Sequence, residues 1–329
     1  MRILVTGGAG FIGSHFVKRL LAAGEDVVVL DKLTYSGNPA NLGGCDVRLL
    51  EGDISDPAAV EAAAAGCDAI VNFAAETHVD RSILGAAEFI QTDVLGTYVL
   101  LQRACALGAR YVQVSTDEVY GDVAPGASSR EDDLLVPSSP YSASKAGGDL
   151  QVLAAVRTFG ANASITRGSN TYGPHQYPEK VLPLFTTNAL DGEPLPLYGD
   201  GRQVRDWLHV DDHCAAIELV LRKGGAGEIY NVGAGEEHEN VELTERFVAY
   251  TGADPSLLRY VADRAGHDRR YSLDTSKLRS LGWQPARTWE DGIRETVEWY
   301  RDHRDWWEPI KRSGGYRAYY ERQYAERLA

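Results

Sequence analysis

The sequence predicts an α/β protein built on a doubly wound parallel sheet, with a smaller C-terminal lobe. Three observations lead to this prediction. Short apolar strands alternate with helical segments through the first half, a glycine-rich turn follows the first strand, and segments rich in Pro, Gly and Tyr begin near residue 170. Alternating strands and helices form βαβ units, whose right-handed crossovers place helices on both faces of a parallel sheet.

The elements of the first half can be placed in order from their apolar patterns. One helix, GSHFVKRLLAAG, stops at Gly24, and a longer one, FIQTDVLGTYVLLQRACALG, stops at Gly108, because glycine is the usual residue just past a helix end. The predicted strands are RILVTG, DVVVLD, VRLLEGD, AIVNFAA and YVQVSTD.

In the second half we expect helices near 180–190 and 210–223, and GEIYNVGAG as a late strand that returns to the sheet. We therefore assign residues 1–170 to a dinucleotide-binding domain, with late returning segments near 205–235. Residues 171–329 form mainly the substrate-binding lobe. The aromatic and charged tail from about Trp299 has no pattern from which we predict a fold.

Composition excludes several functional classes. The net charge of −14 argues against a nucleic-acid or anionic-membrane partner. The four cysteines lack CxxC or Cys/His spacing, so we expect reduced thiols in a cytoplasmic protein and no metal site. The chain opens directly into a strand and has no apolar run of membrane-spanning length, so we expect no signal peptide and no membrane segment.

The glycine turn predicts a dinucleotide site. Gly7, Gly10 and Gly13 lie at three-residue spacing between the first strand and the first helix. Such a turn lets the backbone approach a pyrophosphate, and the helix N-terminus offers free N–H groups and partial positive charge.

Two acidic residues at strand ends bear on the choice of dinucleotide. Asp31 ends the second strand, where a carboxylate can accept hydrogen bonds from the adenosine ribose and repel a 2′-phosphate, so we favour NAD over NADP. Lys32 follows directly and weakens this inference a little. Asp53 and Ile54, after the third strand, are expected near the adenine edge, with a helix N-cap as the alternative role of Asp53.

A tyrosine and a lysine four residues apart provide a candidate proton-transfer pair. Tyr141 and Lys145 in PYSASKAGGD share one face of a helix. A free tyrosine has a pKa near 10, and an adjacent ammonium group favours the phenolate. We therefore expect Tyr141 to take a proton from a sugar hydroxyl while hydride leaves the same carbon.

Together, the glycine turn and the Tyr–Lys pair resemble those of the extended short-chain dehydrogenase/reductases that act on nucleotide sugars, a family with a Rossmann fold. Longer stretches make the resemblance narrower. The segments DKLTYSGN, AAETHVDRSI, STDEVYGD, SNTYGPHQYPEK, LPLYGDGRQVRDWLHVDDH and VADRAGHDRRYSLD look like those of the dTDP-glucose 4,6-dehydratase family. The resemblance covers nearly the whole chain.

This resemblance gives a role to each residue of Thr116-Asp117-Glu118. Loss of water from carbons 5 and 6 of a hexose, after oxidation at carbon 4, needs a base for the carbon 5 proton and an acid for the carbon 6 hydroxyl. By resemblance, Thr116 binds the carbon 4 oxygen, Asp117 is the general acid and Glu118 is the base. Asp117 must then be protonated, so we expect burial and Glu118 to raise its pKa.

The resemblance also implies the remaining contacts, with tightly bound NAD as cofactor and dTDP-glucose as substrate. In addition to Gly7, Gly10, Gly13, Asp31, Asp53, Ile54, Tyr141 and Lys145, the implied cofactor residues are Phe11, Ile12, Lys32, Leu33, Thr34, Phe73, Ala74, Ala75, Thr92 and Thr171. The implied substrate residues are Thr77, Thr116, Asn170, Glu179, Lys180, Val181, Pro196, Leu197, Tyr198, Arg205, Asn240, Arg264 and His267.

Several alternatives remain open at this point. The acidic pair fits a UDP-sugar 4,6-dehydratase as well, and it disfavours a nucleotide-sugar epimerase or a UDP-glucuronate decarboxylase. An inactive NAD-binding regulator is the alternative of another class. Relatives of this kind usually form dimers, so we expect a homodimer through a four-helix bundle built from helices around residues 86–107 and 141–158.

Overall fold

The computed structural model describes residues 1–328 and contains twelve strands and thirteen α-helices. The strands are β1 (Arg2–Thr6), β2 (Asp26–Asp31), β3 (Arg48–Glu51), β4 (Ala69–Asn72), β5 (Arg110–Thr116), β6 (Ala163–Gly168), β7 (Asn170–Tyr172), β8 (Leu195–Tyr198), β9 (Val204–His209), β10 (Ile229–Val232), β11 (Glu237–Glu239) and β12 (Leu258–Val261). The helices are α1 (Phe11–Ala22), α2 (Pro57–Ala63), α3 (Val79–Leu84), α4 (Ala87–Phe89), α5 (Thr97–Leu107), α6 (Pro140–Phe159), α7 (Val181–Asp191), α8 (Val210–Lys223), α9 (Asn240–Thr251), α10 (Ser276–Ser280), α11 (Trp289–Asp302), α12 (Arg304–Arg312) and α13 (Gly314–Leu328).

A seven-stranded sheet forms the centre of the molecule, in the order β10-β6-β5-β4-β1-β2-β3. Every neighbouring pair in it is parallel. Chain order reverses between β1 and β4, which is the switch point where sheets of this type bind ligands. The predicted doubly wound Rossmann fold is confirmed, including the late return of β10.

Apolar side chains cover both faces of this sheet. On β1, Ile3 and Val5 pack against one buried cluster with α1 and α8, whereas Leu4 packs against the opposite cluster with α2, α5 and α6. Successive side chains of a strand point to opposite faces, so a strand buried on both sides is apolar throughout. These two layers fix the sheet whose strand ends carry the site.

A third cluster, formed by α7, α9 and the C-terminal helices, holds the smaller lobe together. This lobe contains a three-stranded sheet in the order β11-β9-β7 and the parallel pair β12-β8. The tail, whose fold we did not predict from its sequence, forms α11, α12 and α13. Its aromatic residues Tyr300 and Trp307 are fully buried in the cluster.

The predicted long helix near 86–107 is interrupted by a π-helical segment, Ile90–Gly96. At its end Gly96 lies against Ile54, where an added Cβ would be 2.5 Å from the Ile54 side chain. A π-helical turn is wider than an α-helical one and occurs mostly at functional sites. Here it carries Thr92, which faces the cavity described next.

Candidate active site

A cavity of about 290 Å³ opens at the carboxyl ends of β1, β4, β5 and β6. Its wall includes the glycine turn after β1, residues 73–77 after β4, residues 114–118 at the end of β5 and residues 168–171 after β6. The strand ends of a parallel sheet meet at one edge, so four separate segments of sequence contribute to a single cavity.

The glycine turn is shaped to receive a pyrophosphate. Gly7 has a φ of +67°, and a Cβ on Gly13 would lie 2.2 Å from the Gly7 carbonyl oxygen. Gly10, at the N-cap of α1, contributes no capping side chain, so the N–H groups of the first helical turn remain available to a ligand. Gly7, Gly10, Phe11, Ile12 and Gly13 all line the cavity.

Asp31 is held by the backbone on both sides. Its Oδ2 accepts the N–H of Ala9 at 2.9 Å, and its Oδ1 accepts the N–H of Leu33 at 2.8 Å. Burial raises the pKa of Asp31, and these two hydrogen bonds oppose the rise. The carboxylate lines the cavity beside Thr34 and has lone pairs left for a ribose diol.

Lys32 and Asp53 form an ion pair on the wall of the cavity, with Nζ 2.8 Å from Oδ2. Asp53 also accepts the N–H of Ser55, whereas the N-cap of α2 is Asp56. The alternative role of Asp53 as that N-cap is therefore wrong. Lys32 has a carboxylate partner, which leaves less positive charge for a 2′-phosphate.

Most of the predicted cofactor residues line the cavity, but Leu33 does not. Leu33 has a φ of +53° and contributes its N–H to Asp31, so its role is to shape the loop. The other predicted cofactor residues on the wall are Ile54, Phe73, Ala74, Ala75, Thr92 and Thr171. The Thr171 hydroxyl lies 2.8 Å from Nδ1 of His213, a wall residue on α8 that ends the segment LPLYGDGRQVRDWLHVDDH and to which the sequence analysis gave no role.

Thr116, Asp117 and Glu118 lie where β5 passes into a single 3-10 turn, Asp117–Tyr120. The Thr116 hydroxyl caps this turn by accepting the N–H of Glu118 at 3.3 Å, and it approaches Asp117 Oδ1 at 3.2 Å. Asp117 is 3% exposed, and its Oδ2 has no hydrogen-bond partner among residues 1–328. The turn places all three side chains on the wall of the cavity.

The two carboxyl groups of this turn are both easier to protonate than ordinary ones. Burial, and then the charge of Glu118, raises the pKa of Asp117 well above its usual value. Burial also raises the pKa of Glu118, while Arg264, Lys180 and Arg205 oppose the rise. The pair therefore consists of an acid that readily stays protonated and a carboxylate surrounded by cations.

Tyr141 and Lys145 project from the first turns of α6. The helix begins at Pro140 and is held by a capping box between Ser139 and Ser142. The Lys145 ammonium is buried and donates to the carbonyl of Val114 on β5 at 2.8 Å. This hydrogen bond fixes the lysine at the cavity wall beside Tyr141.

The pKa of Tyr141 is raised overall, although Lys145 was expected to favour its phenolate form. Burial, followed by the charges of Glu118 and Asp93, raises the pKa of Tyr141 well above its usual value. Asp93, in the π-helical segment, accepts the Ser144 hydroxyl at 2.5 Å, and burial raises its own pKa to about 6. A cationic ligand would have to offset this negative environment.

The predicted substrate residues divide into two groups. Thr77, Thr116, Asn170, Glu179 and Lys180 line the cavity. Outside that wall lie the others, namely Val181, Pro196, Leu197, Tyr198, Arg205, Asn240, Arg264 and His267. Arg205 and Arg264 nevertheless lie close enough to lower the pKa of Glu118, so positive charge extends from the cavity towards the lobe.

Glu179 lies at the centre of a group of contacts on one part of the cavity wall. Its carboxylate accepts the Tyr35 hydroxyl at 2.9 Å and the Arg81 guanidinium at 2.8 Å. The same guanidinium lies between the rings of Tyr35 and Tyr319, 3.7 Å and 4.2 Å from their centroids. These contacts hold the Glu179 carboxylate in place at the cavity wall, and α13, which carries Tyr319, extends to this part of the wall.

Within residues 1–328, no helix combines the length and apolar character needed to cross a membrane. Residues 1–328 also contain no group of three or more His, Cys, Asp or Glu side chains able to hold a metal ion.

Comparison with known proteins gives consistent matches. The profile of the NAD dependent epimerase/dehydratase family matches residues 3–233. The chain is similar to dTDP-glucose 4,6-dehydratase of Streptomyces niveus, with 54% identity over 324 residues, covering 94% of this chain and 96% of that protein. It is 51% identical over 322 residues to dTDP-glucose 4,6-dehydratase of Streptomyces antibioticus, covering 95% and 96%.

Solved structures agree with these sequence matches. The structure of DesIV, a dTDP-glucose 4,6-dehydratase from Streptomyces venezuelae with NAD and TYD bound, superimposes with a TM-score of 0.92 and 55% identity, covering 94% of this chain and 100% of that chain. A UDP-glucose 4-epimerase from Thermus thermophilus in complex with NAD gives a TM-score of 0.88 at 34% identity, covering 92% and 100%.

Proposed function

The chain belongs to the NAD dependent epimerase/dehydratase family, and from this we infer that it is a dTDP-glucose 4,6-dehydratase. It is an NAD-dependent hydro-lyase that converts dTDP-glucose into dTDP-4-keto-6-deoxyglucose and water. One observation carries the inference. The acidic pair Asp117–Glu118 and the pair Tyr141–Lys145 line the same cavity as the glycine turn.

NAD fits the residues that are present. Gly7, Gly10 and Gly13 leave room for its pyrophosphate, and Asp31 can accept its ribose hydroxyls. When bound, NAD would supply the acceptor for the hydride that leaves carbon 4 of the hexose and the donor for the hydride that carbon 6 receives. Each turnover thus restores the oxidised cofactor, so a tightly held NAD serves the enzyme through many cycles.

We propose that Tyr141 and Thr116 act on the carbon 4 hydroxyl. Thr116 donates a hydrogen bond to that oxygen, and Tyr141 takes its proton as the oxygen becomes a ketone. Burial and neighbouring carboxylates raise the pKa of Tyr141, whereas the positive charges of Lys145 and of oxidised nicotinamide favour the phenolate.

We propose that Glu118 and Asp117 carry out the loss of water. The ketone at carbon 4 acidifies the hydrogen on carbon 5, which the Glu118 carboxylate removes. Protonated Asp117 gives its proton to the departing carbon 6 hydroxyl, and its raised pKa favours the protonated form that this role requires. The two neighbouring carboxyls thus take opposite roles because Asp117 is the more deeply buried of the two.

The diphosphate of the substrate requires positive charge in an acidic protein. We propose that Lys180, Arg205, Arg264 and His267 provide it, since a guanidinium can form a forked pair with phosphate oxygens. Asn170 would also hold the sugar diphosphate, and Thr77 would be a further substrate contact through its hydroxyl. The residues that shape the ribose and base site are Glu179, Val181, Pro196, Leu197, Tyr198 and Asn240.

We also propose the division of labour along the chain, the assembly and the compartment. Residues 1–170 hold NAD and residues 171–329 mainly hold the nucleotide sugar, with returning segments near 205–235. Two copies associate through α5 and α6 as a four-helix bundle. The four free cysteines fit a reducing compartment, so we place the reaction in the cytoplasm.

An assay for the base-labile chromophore of 4-keto sugars tests the function. We expect product with dTDP-glucose, and a much smaller rate with UDP-glucose in a parallel reaction. Turnover of UDP-glucose alone would make the protein a UDP-sugar dehydratase, and NAD binding without either product would make it an inactive NAD-binding protein. The double variant of Asp117→Asn with Glu118→Gln is the matched control for background chromophore.

A further inference from the structure

Hydrogen bonds to both peptide groups of Ala9 hold the backbone of the glycine turn in place. The N–H of Ala9 donates to Asp31 Oδ2 at 2.9 Å. Its carbonyl accepts two hydrogen bonds, one from the N–H of Asn38 at 3.0 Å and one from the Asn41 side-chain amide at 3.0 Å. Ala9 is fully buried, so each of these contacts is shielded from water.

Asn41 connects this turn to the other end of the chain. It is 1% exposed and lies in the 3-10 turn Pro39–Leu42. While its amide nitrogen donates to Ala9, its Oδ1 accepts the indole N–H of Trp306, on α12, at 2.9 Å. An indole N–H can only donate and a carbonyl can only accept, so this pair of contacts allows a single orientation of the Asn41 amide.

Trp306 is itself held in place by aromatic neighbours. Its ring lies 5.3 Å from that of Trp299 and 5.5 Å from that of His175, measured between centroids. His175 also contacts His15 on α1, at 5.6 Å between ring centroids. The indole N–H therefore points at Asn41 from a packed cluster that joins α12 to the helix directly after the glycine turn.

We propose that Asn41 and Trp306 are positioning residues for the dinucleotide. They keep the Ala9 carbonyl directed into the protein, so that the Ala9–Gly10 peptide cannot rotate and turn its negative end towards a phosphate. Without this restraint the turn loses its preorganised shape, and the bound dinucleotide is released faster. The inference rests on the proposed function only in taking that dinucleotide to be NAD.

The test compares Trp306→Phe with Trp307→Phe. Both remove an indole N–H from α12, but the Trp307 indole donates to the Tyr300 carbonyl and has no link to Asn41. For Trp306→Phe we expect NAD release about ten-fold faster, the loss of about 1.4 kcal/mol of binding. The KM for added NAD should rise by a similar factor, with a much smaller change in kcat at saturating NAD.

Asn41→Leu removes both hydrogen bonds at similar volume and serves as the second variant if Trp306→Phe does not fold. Equal NAD release from wild type and Trp306→Phe, or equal acceleration in Trp306→Phe and Trp307→Phe, would overturn the proposal. The NAD content of the wild-type protein is measured first. If the wild type takes up no NAD, the proposed function itself fails, and that result is distinct from a failure of the positioning role.

Discussion

Asp117 has an unusual balance of surroundings for a carboxyl group. It is 3% exposed, it lies next to Glu118, and its Oδ2 lacks a hydrogen-bond partner within residues 1–328. A buried carboxylate without full hydrogen bonding is costly, and such costs concentrate at sites where the protonation state matters to the reaction. Asp117 therefore lowers the stability of the fold, while its protonation state serves the proposed reaction.

Replacing Asp117 with Asn should make this cost measurable. Because the native pKa is raised, the folded protein binds the proton more tightly than the unfolded chain. The stability of the wild type then falls as the pH rises from about 3.9 through the raised native pKa. We expect Asp117→Asn to raise the Tm by a few degrees, on the order of 1 kcal/mol, near pH 8. Thermal unfolding from pH 4 to 8 should show this difference vanish at the acidic end, and a constant difference would contradict the account.

Replacing Glu118 with Gln tests the base. We expect formation of the 4-keto-6-deoxy product to fall by about 10²–10⁴-fold, the usual contribution of a positioned base. Oxidation at carbon 4, followed in a single turnover by nicotinamide absorbance, should fall far less. Exchange of the carbon 5 hydrogen with solvent deuterium is the direct readout of the removed step. Product formation at the wild-type rate would show that another group is the base.

The sequence identified the residues of the site more accurately than it predicted their pKa values. Thr116, Asp117 and Glu118 are consecutive, so a resemblance could identify them together. The pKa of Tyr141 depends instead on Glu118 and on Asp93, which lies 48 positions before it in the π-helical segment. No local pattern reveals that these two segments lie beside the Tyr141 phenol.

The turn between β1 and α1 leaves almost no room for side chains at its glycines. Its shape depends on Gly13, because a Cβ there would lie 2.2 Å from the Gly7 carbonyl. The strands β1 to β5 and β10 and the helices α1, α5, α6, α7 and α8 were predictable, since their apolar periods are local. The short strands of the smaller lobe, the π-helical segment and the tail helices α11 to α13 were not predicted, and the tail helices pack mainly through the lobe core.

Gly13→Ala should therefore abolish NAD retention. The added methyl group forces the turn open, and we expect the purified variant to carry less than about a tenth of the wild-type NAD, a loss of at least ~1.4 kcal/mol. Gly315→Ala is the matched control, because no atom lies within 4 Å of a Cβ at that position. NAD released from denatured protein can be quantified for both variants. Full retention in Gly13→Ala would refute the assignment of the turn.

In the whole molecule, one surface is unusually apolar. On α6, Leu150 and Phe159 are 57% and 63% exposed, and Ile90 and Tyr98, on the neighbouring helical segments, are 58% and 47% exposed. Large exposed apolar side chains on helices that pack against each other are candidates for an interaction site. Two copies of the α5–α6 pair would cover each other's apolar face, as the proposed four-helix bundle requires.

Leu150→Glu should disrupt this assembly. A carboxylate in the centre of an apolar helix interface is desolvated on association, and two copies would face each other across the two-fold axis. We expect light scattering to give a dimer for the wild type and a monomer for the variant. Tyr260→Glu, at a 58% exposed position on β12, should remain a dimer. A monomeric wild type would refute the bundle.

The hydrogen bond between Trp306 and Asn41 joins residues 265 positions apart. During synthesis on the ribosome, the segments that make the glycine turn emerge early, whereas the indole that secures them emerges among the last residues. A nascent chain could thus complete its first βαβ units long before its hold on NAD is finished. Chains that end before α12 would lack this hydrogen bond and would release NAD faster.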